Sequence, residues 1–349
     1  MPNMKICLVS LLGIVAFSQY AWALNPKCIR PSDREDSIYL YGNVKKMSVE
    51  TAESSNEFKR TKVVEASYNS TGYLINLTRF QADGTINSEA NYLYDENDRL
   101  TMVNGSSLQS EIEYDESGNR KEIRYFNQGQ PTLKKQYVYN DTNKIVAEDH
   151  YSGKDNVKSR HATYEYNNNG LQTVKSEWWG SNEIRTLCSY DDSGRLIEVN
   201  ERSIKWKISY VGDNIQIERT GPPSVGPPKS IFIKNGKGLS ISHSGFGGFF
   251  GGLTFKADFD KFGNRTRFFC DDYMCQHKLI NINYTYDNHG NWTEMVMSAP
   301  AQSQASKVLR TDYRTYEYYP PSTIREDFTI RKDKIDDDAI AINLPFLPF

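Results

Sequence analysis

The sequence predicts an all-β fold: consecutive antiparallel β-hairpin repeats forming one twisted or spiral sheet. Three observations predict it. A strand–turn–strand motif recurs along most of the 349 residues. Its arms alternate apolar and charged side chains, the period-two pattern of a half-buried strand. No long segment carries the 3.6-residue period of an amphipathic helix.

The motif is clearest at Tyr114-Asp115-Glu116-Ser117-Gly118-Asn119-Arg120. Close copies begin at Tyr94, Tyr190 and Tyr286, and looser ones at Tyr68, Tyr139, Tyr166 and Phe259. An Asp or Asn following the anchor accepts hydrogen bonds from backbone groups two residues on and closes a turn. Gly, Asp or Asn stands four residues after the anchor, where the backbone can take a positive φ. Pairs such as Tyr92 with Tyr94 and Tyr164 with Tyr166 share one strand face, read as the inward one. Repetition of the same residues argues for architecture over a single catalytic centre.

This motif resembles the YD repeat, also called the RHS repeat, of bacterial surface and secreted proteins. The resemblance runs from Tyr68 to Tyr286. It implies hairpins that coil into a long spiral sheet. Large members of that family enclose a toxin domain in a hollow shell.

Residues 1–23 read as a secretory signal: Lys5 gives the positive start, Ile6 to Phe17 the apolar core, Ala21-Trp22-Ala23 the cleavage site. The apolar run is shorter than the roughly 20 residues of a membrane span, and no later segment qualifies. An extracytoplasmic protein, periplasmic or secreted, is therefore expected. Four cysteines then remain, Cys28, Cys188, Cys270 and Cys275. An even number in an exported chain points to disulfides, with three possible connectivities. Cys270 and Cys275 are close enough to close a small loop, which would leave Cys28 for Cys188. Cys188 takes the place two residues before the anchor that Tyr usually holds, so it points into the core. A metal site from Cys270, Asp271, Asp272, Cys275 and His277 is the rival reading, but its ligand set is incomplete for zinc. No metal and no cofactor are expected.

Residues 24–62 read as an N-terminal cap in which Ser37 to Val44 starts the sheet and Ser48 to Arg60 is less regular. Residues 63–298 form the repeat domain, its anchors from Tyr68 to Tyr190 falling 20 to 27 residues apart. Beyond Tyr190, decayed units are read at Tyr210–Ile215 and Ile231–Leu239, about ten units in all. A Pro-rich insertion at 221–228 reads as a loop between units, and a Gly/Phe-rich one spans 245–252. Its phenylalanines either plug the end of the sheet or grip a partner. Residues 299–349 hold one more aromatic strand around Tyr313–Tyr319, then an apolar tail.

A net charge of −2 and a pI near 6.3 disfavour nucleic acid as a partner. No G-x-S-x-G elbow, Walker loop, H-E-x-x-H helix or EF-hand loop occurs, so no catalytic residue is assigned. The five histidines, His150, His161, His243, His277 and His289, form no motif. The expected function is that of an exported, non-enzymatic binding or scaffold protein of the bacterial cell exterior. Its partner is a protein or glycan of the envelope or exterior, met through Phe246, Phe249, Phe250, Trp178 and Trp179. The alternatives are a periplasmic partner or immunity-type protein of a toxin system, and a carbohydrate-active enzyme.

Overall fold

The computed structural model describes residues 40–320 apart from 41, 54–58, 107, 154, 223–228, 235–239, 247–253, 263, 271–277 and 301–305. The signal-like segment, Cys28, Cys275, Phe249, Phe250 and the C-terminal tail therefore lie outside the described residues.

All described regular structure is strand. The first eleven are β1 (Val44–Glu53), β2 (Thr61–Tyr68), β3 (Leu74–Phe80), β4 (Ile86–Tyr94), β5 (Leu100–Gly105), β6 (Leu108–Tyr114), β7 (Arg120–Asn127), β8 (Gln130–Tyr139), β9 (Ile145–Ser152), β10 (Val157–Tyr166) and β11 (Gln172–Trp179). The rest are β12 (Asn182–Tyr190), β13 (Leu196–Glu201), β14 (Ile204–Val211), β15 (Asn214–Thr220), β16 (Lys229–Lys234), β17 (Ser240–Phe246), β18 (Thr254–Phe259), β19 (Arg265–Cys270), β20 (Leu279–Tyr286), β21 (Trp292–Ala299) and β22 (Lys307–Tyr318). Each strand pairs antiparallel with the next in the chain, in one sheet. β1 pairs with β22 as well as β2, from Val44 opposite Tyr318 to Glu53 opposite Arg310. The first and last described strands are thus neighbours, and no described strand is left with an unpaired edge.

The repeat has one local geometry. At each anchor the ladder slips: Tyr94 faces Leu100, Tyr114 faces Arg120, Tyr139 faces Ile145 and Tyr190 faces Leu196. The turn between them places its fourth residue in the left-handed region, at Gly118 (φ 81°), Gly194 (77°), Asp98 (59°) and Asn143 (57°). This is a type I turn closed by a bulge with a positive-φ residue. The residue after the anchor holds it in place. Asp191 Oδ1 accepts from the amides of Ser193 (3.0 Å) and Arg195 (2.9 Å), and Asn167 Oδ1 from those of Asn169 (3.1 Å) and Leu171 (2.9 Å).

Replacing Asp191 by Ala removes the acceptor for two amides and is expected to lower the urea midpoint. Asp191→Asn keeps the oxygen, as Asn69, Asn140 and Asn167 do at the same place, and is expected to lower it less. Equal stability of the two variants would contradict the assignment.

The anchor tyrosine joins one unit to the unit before it. Its hydroxyl donates to a carbonyl at the start of the preceding post-turn strand: Tyr94 to Leu74 (2.8 Å), Tyr114 to Leu100 (2.9 Å), Tyr139 to Arg120 (2.8 Å), Tyr166 to Ile145 (2.7 Å) and Tyr190 to Gln172 (2.7 Å). In β22 the bond of this kind is made by Tyr316, to the first residue of β21, Trp292 (3.0 Å), while Tyr319 donates to the carbonyl of Tyr68 at the end of β2 (2.8 Å). Around these rings lie three apolar clusters: one on β1 to β9, one on β12 to β16 and one on β18 to β21.

Three expectations change. Of the strand expected at Ser37–Val44, residues 37–39 and 41 lie outside the described residues; β1 begins at Val44 and runs into the segment read as irregular, as far as Glu53. Slips after Val44 and after Val49 break its alternation, which hides the period of two in the sequence. The cap of residues 24–62 therefore contributes a full sheet strand. A further turn of the repeat type lies at Gln81–Gly84, where Asp83 rather than the residue after Phe80 accepts the Thr85 amide at 2.9 Å. At Tyr210 the hydroxyl bond to Leu196 survives (3.0 Å), but the turn shrinks to Gly212-Asp213. The Pro-rich insertion is a hairpin connection, since Thr220 pairs with Lys229 across it.

Candidate functional site

Strand alternation divides the connections between two rims. One rim carries the uniform Asx turns after Tyr68, Tyr94, Tyr114, Tyr139, Tyr166, Tyr190, Phe259 and Tyr286. The connections β15–β16, β17–β18 and β19–β20 all depart from the other rim. The ends of β15, β17 and β19, and the starts of β16, β18 and β20, therefore share one end of the sheet; the segments between them lie outside the described residues. The same rim carries the tight turn after Trp179, with Gly180 at φ 61°.

Trp178 and Trp179 do not form one surface, because adjacent strand residues point to opposite faces. Trp179 is 54% exposed, with the Arg160 guanidinium 4.8 Å from its ring centroid. Trp178 lies on the other face, stacked on His161 at 5.2 Å. Trp206 and Trp292 are core residues. Phe246 ends β17 at the exposed-tryptophan rim, paired with Lys229.

A second feature sits on the tyrosine face itself. The residue nine places after each anchor points to this face. At six anchors it is a buried apolar residue: Leu77, Val103, Ile123, Val199, Phe268 and Met295. At the two units between the first and second apolar clusters it is Glu148 and Lys175. Two residues further on stand His150 and Glu177, and Lys135 and Thr186 are buried beside them. Strands β8 to β13 thus interrupt the apolar face with a polar array that no short motif reveals. Alignment of the repeats on their anchors is the signal that exposes it.

The array is internally paired. Glu148 bonds His150 through one oxygen and accepts from the Tyr164 hydroxyl through the other (2.8 Å). Glu177 bonds Arg160 and, at 2.8 Å, Lys175. Thr186 donates to Glu201 (3.1 Å). Burial opposes ionisation of Glu177, but hydrogen bonds and charge from Lys175 and Arg160 outweigh it and hold the carboxyl below its ordinary range. Glu177 is a fixed carboxylate suited to charge recognition, not a proton donor at neutral pH.

The opposite face is laced with cross-strand ion pairs, such as Lys121 with Glu113 (2.8 Å), Lys158 with Asp149 (2.6 Å) and Lys205 with Glu198 (2.7 Å). Such exposed pairs add little stability and suit a surface in contact with water.

Cys188 and Cys270 are buried and both are disulfide-bonded. The rival metal reading falls on residues 271–277, outside the described residues. Among the described residues no three His, Cys, Asp or Glu side chains gather as metal ligands, and no helix is long and apolar enough to cross a membrane.

Fold and site define a repeat-built antiparallel sheet with one plain and one elaborated rim. No family model matches the chain, and a search of curated proteins finds no match. Among solved structures, similarity is found to a porin-like protein from Bacteroides uniformis, at 12% identity over 80% of this chain and 100% of that one, TM-score 0.30. The TcdB2-TccC3 structure aligns at 10% identity over 77% of this chain and 20% of its own, TM-score 0.34. A porin-like protein from Bacteroides vulgatus aligns at 8% identity over 79% of this chain and 98% of its own, TM-score 0.24. At these scores the likenesses carry no functional argument.

Proposed function

We propose that this chain is an exported, non-enzymatic binding or scaffold protein of the bacterial cell exterior, built on YD-type repeats. It engages a protein or glycan at the rim of Trp179. The observation that carries this reading is the asymmetry of the rims. One rim repeats a locked turn at eight anchors, which is architecture, the two-residue turn after Val211 departing from it. The other presents an exposed tryptophan backed by Arg160, together with the strand ends from which the irregular connections depart. Repeat sheets offer long surfaces whose loops tune binding without chemistry. Export rests on the signal-like N-terminus, and the proposed bridges are Cys270–Cys275 and Cys28–Cys188.

The test is an affinity pull-down from the protein's own cell envelope, repeated with Trp179→Ala and with Phe246, Phe249 and Phe250 changed to Ser. A specific partner is expected, with recovery falling about tenfold, a 1.4 kcal/mol loss, for Trp179→Ala. Undiminished recovery with both variants would remove the rim from the account.

A carbohydrate-active reading has one observation in its favour. Glu148 and Glu177 stand in one cross-strand row with Ala162 between them, so their backbones lie roughly 10 Å apart at two strand spacings. Such enzymes hold paired carboxyls about 5–9.5 Å apart. They also need one carboxyl kept protonated, the opposite of what surrounds Glu177. Turnover of an envelope glycan by the purified protein would favour this reading over binding.

A further inference from the structure

The junction of first and last strands places two arginines in one row on the tyrosine face. Arg314 of β22 faces Val49, Val49 faces Val64, and Val64 faces Arg79 of β3. Three strand spacings separate the two backbones by roughly 14 Å, and both long side chains reach over a floor of two valines. Tyr68, Tyr92 and Tyr316 surround them, with Tyr68 in the field of Arg314 and Tyr92 in the field of Arg79.

These groups lack the partners that burial demands. Arg314 is 5% exposed; it hydrogen-bonds Tyr316 and lies 3.6 Å over Trp292, yet its Nε has no acceptor among the described residues. Arg79 is half-buried; among the described residues it has no ion pair, and its Nε and Nη2 are likewise without acceptors. The hydroxyl of Tyr92, 2% exposed, also has no hydrogen-bond partner, nor does that of Ser110, two strands along the row of Tyr92 through Val103. The nearby acid, Asp312, is committed to Arg310 and Thr51 at 2.7 Å each. A buried guanidinium without a counter-charge is costly, and natural proteins pair such groups or give them a ligand. Planar forked donors fit the oxygens of carboxylate, phosphate or sulfate.

We propose that Arg79 and Arg314, with the Tyr92 hydroxyl, form a binding site for an oxyanion-bearing ligand on the tyrosine face where the first and last described strands meet. The site is separate from the Trp179 rim, on β3, β4 and β22, and its test does not depend on the rim reading.

Inorganic phosphate, sulfate and succinate serve as probes on the mature protein. Melting temperature and calorimetric titration are read against sodium chloride at matched ionic strength. At tenfold excess over Kd, at least one oxyanion is expected to raise Tm by about 2–4 °C, saturably. Arg79→Met removes an uncompensated charge, so it is expected to melt at or above the wild-type temperature without anion and to bind at least about tenfold more weakly, a 1.4 kcal/mol loss. Tyr92→Phe, which keeps the ring, is expected to weaken binding by a smaller factor. The proposal is overturned if all three oxyanions match chloride, if both variants keep the wild-type response, or if Arg79→Met is strongly destabilised without anion. That last result would make Arg79 a structural partner.

Discussion

Raised above pH 10, the protein is expected to lose its sheet in one cooperative step, with tyrosine ionisation and unfolding coinciding. Burial pushes the hydroxyl of Tyr92 up to about 12, and it pushes those of Tyr68, Tyr94 and Tyr284 higher still. In the unfolded chain these groups ionise near 10. The folded pKa lies above the unfolded one, so the neutral form is the one the fold favours. Stability from these groups is fully present below pH 10 and is lost as pH rises through the folded values. Each such tyrosine removes about 1.4 kcal/mol per pH unit, and four acting together remove roughly 5–6 kcal/mol per unit. That is comparable to a typical total stability. A phenolate also cannot donate the bond by which Tyr94 holds the carbonyl of Leu74. Absorbance near 295 nm and far-UV circular dichroism, followed together, check this. Tyrosines that titrate fully near pH 10 while the strand signal persists would contradict it.

Asp312→Ala is expected to be the most damaging single substitution of a charged residue. Asp312 is almost fully buried and bridges Arg310 of its own strand to Thr51 of β1. Removing it leaves Arg310, among the described residues, with the more distant Glu53 at 3.8 Å, and deepens the positive charge already present at Arg314. Breaking a buried pair from one side costs about 3–5 kcal/mol. The combined change of Arg310→Met and Asp312→Leu removes both charges and is expected to recover most of that loss. Urea unfolding measures each step. A loss under about 1 kcal/mol for Asp312→Ala would show that the junction of β1 and β22 is not held as described.

The repeating parts of this fold are legible in the sequence because their causes are local. Asp115 and Gly118 dictate their turn wherever the anchor pattern places them, and the tyrosine face follows from alternation. The turn at Gln81 is hidden in the sequence because its acceptor, Asp83, sits two residues later than in the other copies. β1 is hidden because two slips in its ladder spoil the period of two. Its pairing with β22 joins residues about 265 apart, and nothing local encodes that contact. The site was partly readable. Trp179 and the glycine- and proline-rich insertions are conspicuous in composition, but that the strands flanking the insertions end at the rim of Trp179 follows only from the strand order. Glu148 and Lys175 each look like ordinary strand charges. Only their place nine residues after an anchor, where Val or Ile belongs, marks them as departures from a core.

The return of the sheet to its start underlies the tyrosine series, the Asp312 bridge and the Arg79–Arg314 row alike. Paired cysteines test it most directly. Ser48 of β1 stands opposite Thr315 of β22, and directly opposed strand residues have Cα atoms about 4.5–5.5 Å apart, within disulfide range. With both changed to Cys, mild oxidation of the folded protein is predicted to join them, giving a linked peptide pair by mass spectrometry. Two free, alkylatable thiols at positions 48 and 315 in the folded protein would contradict the account.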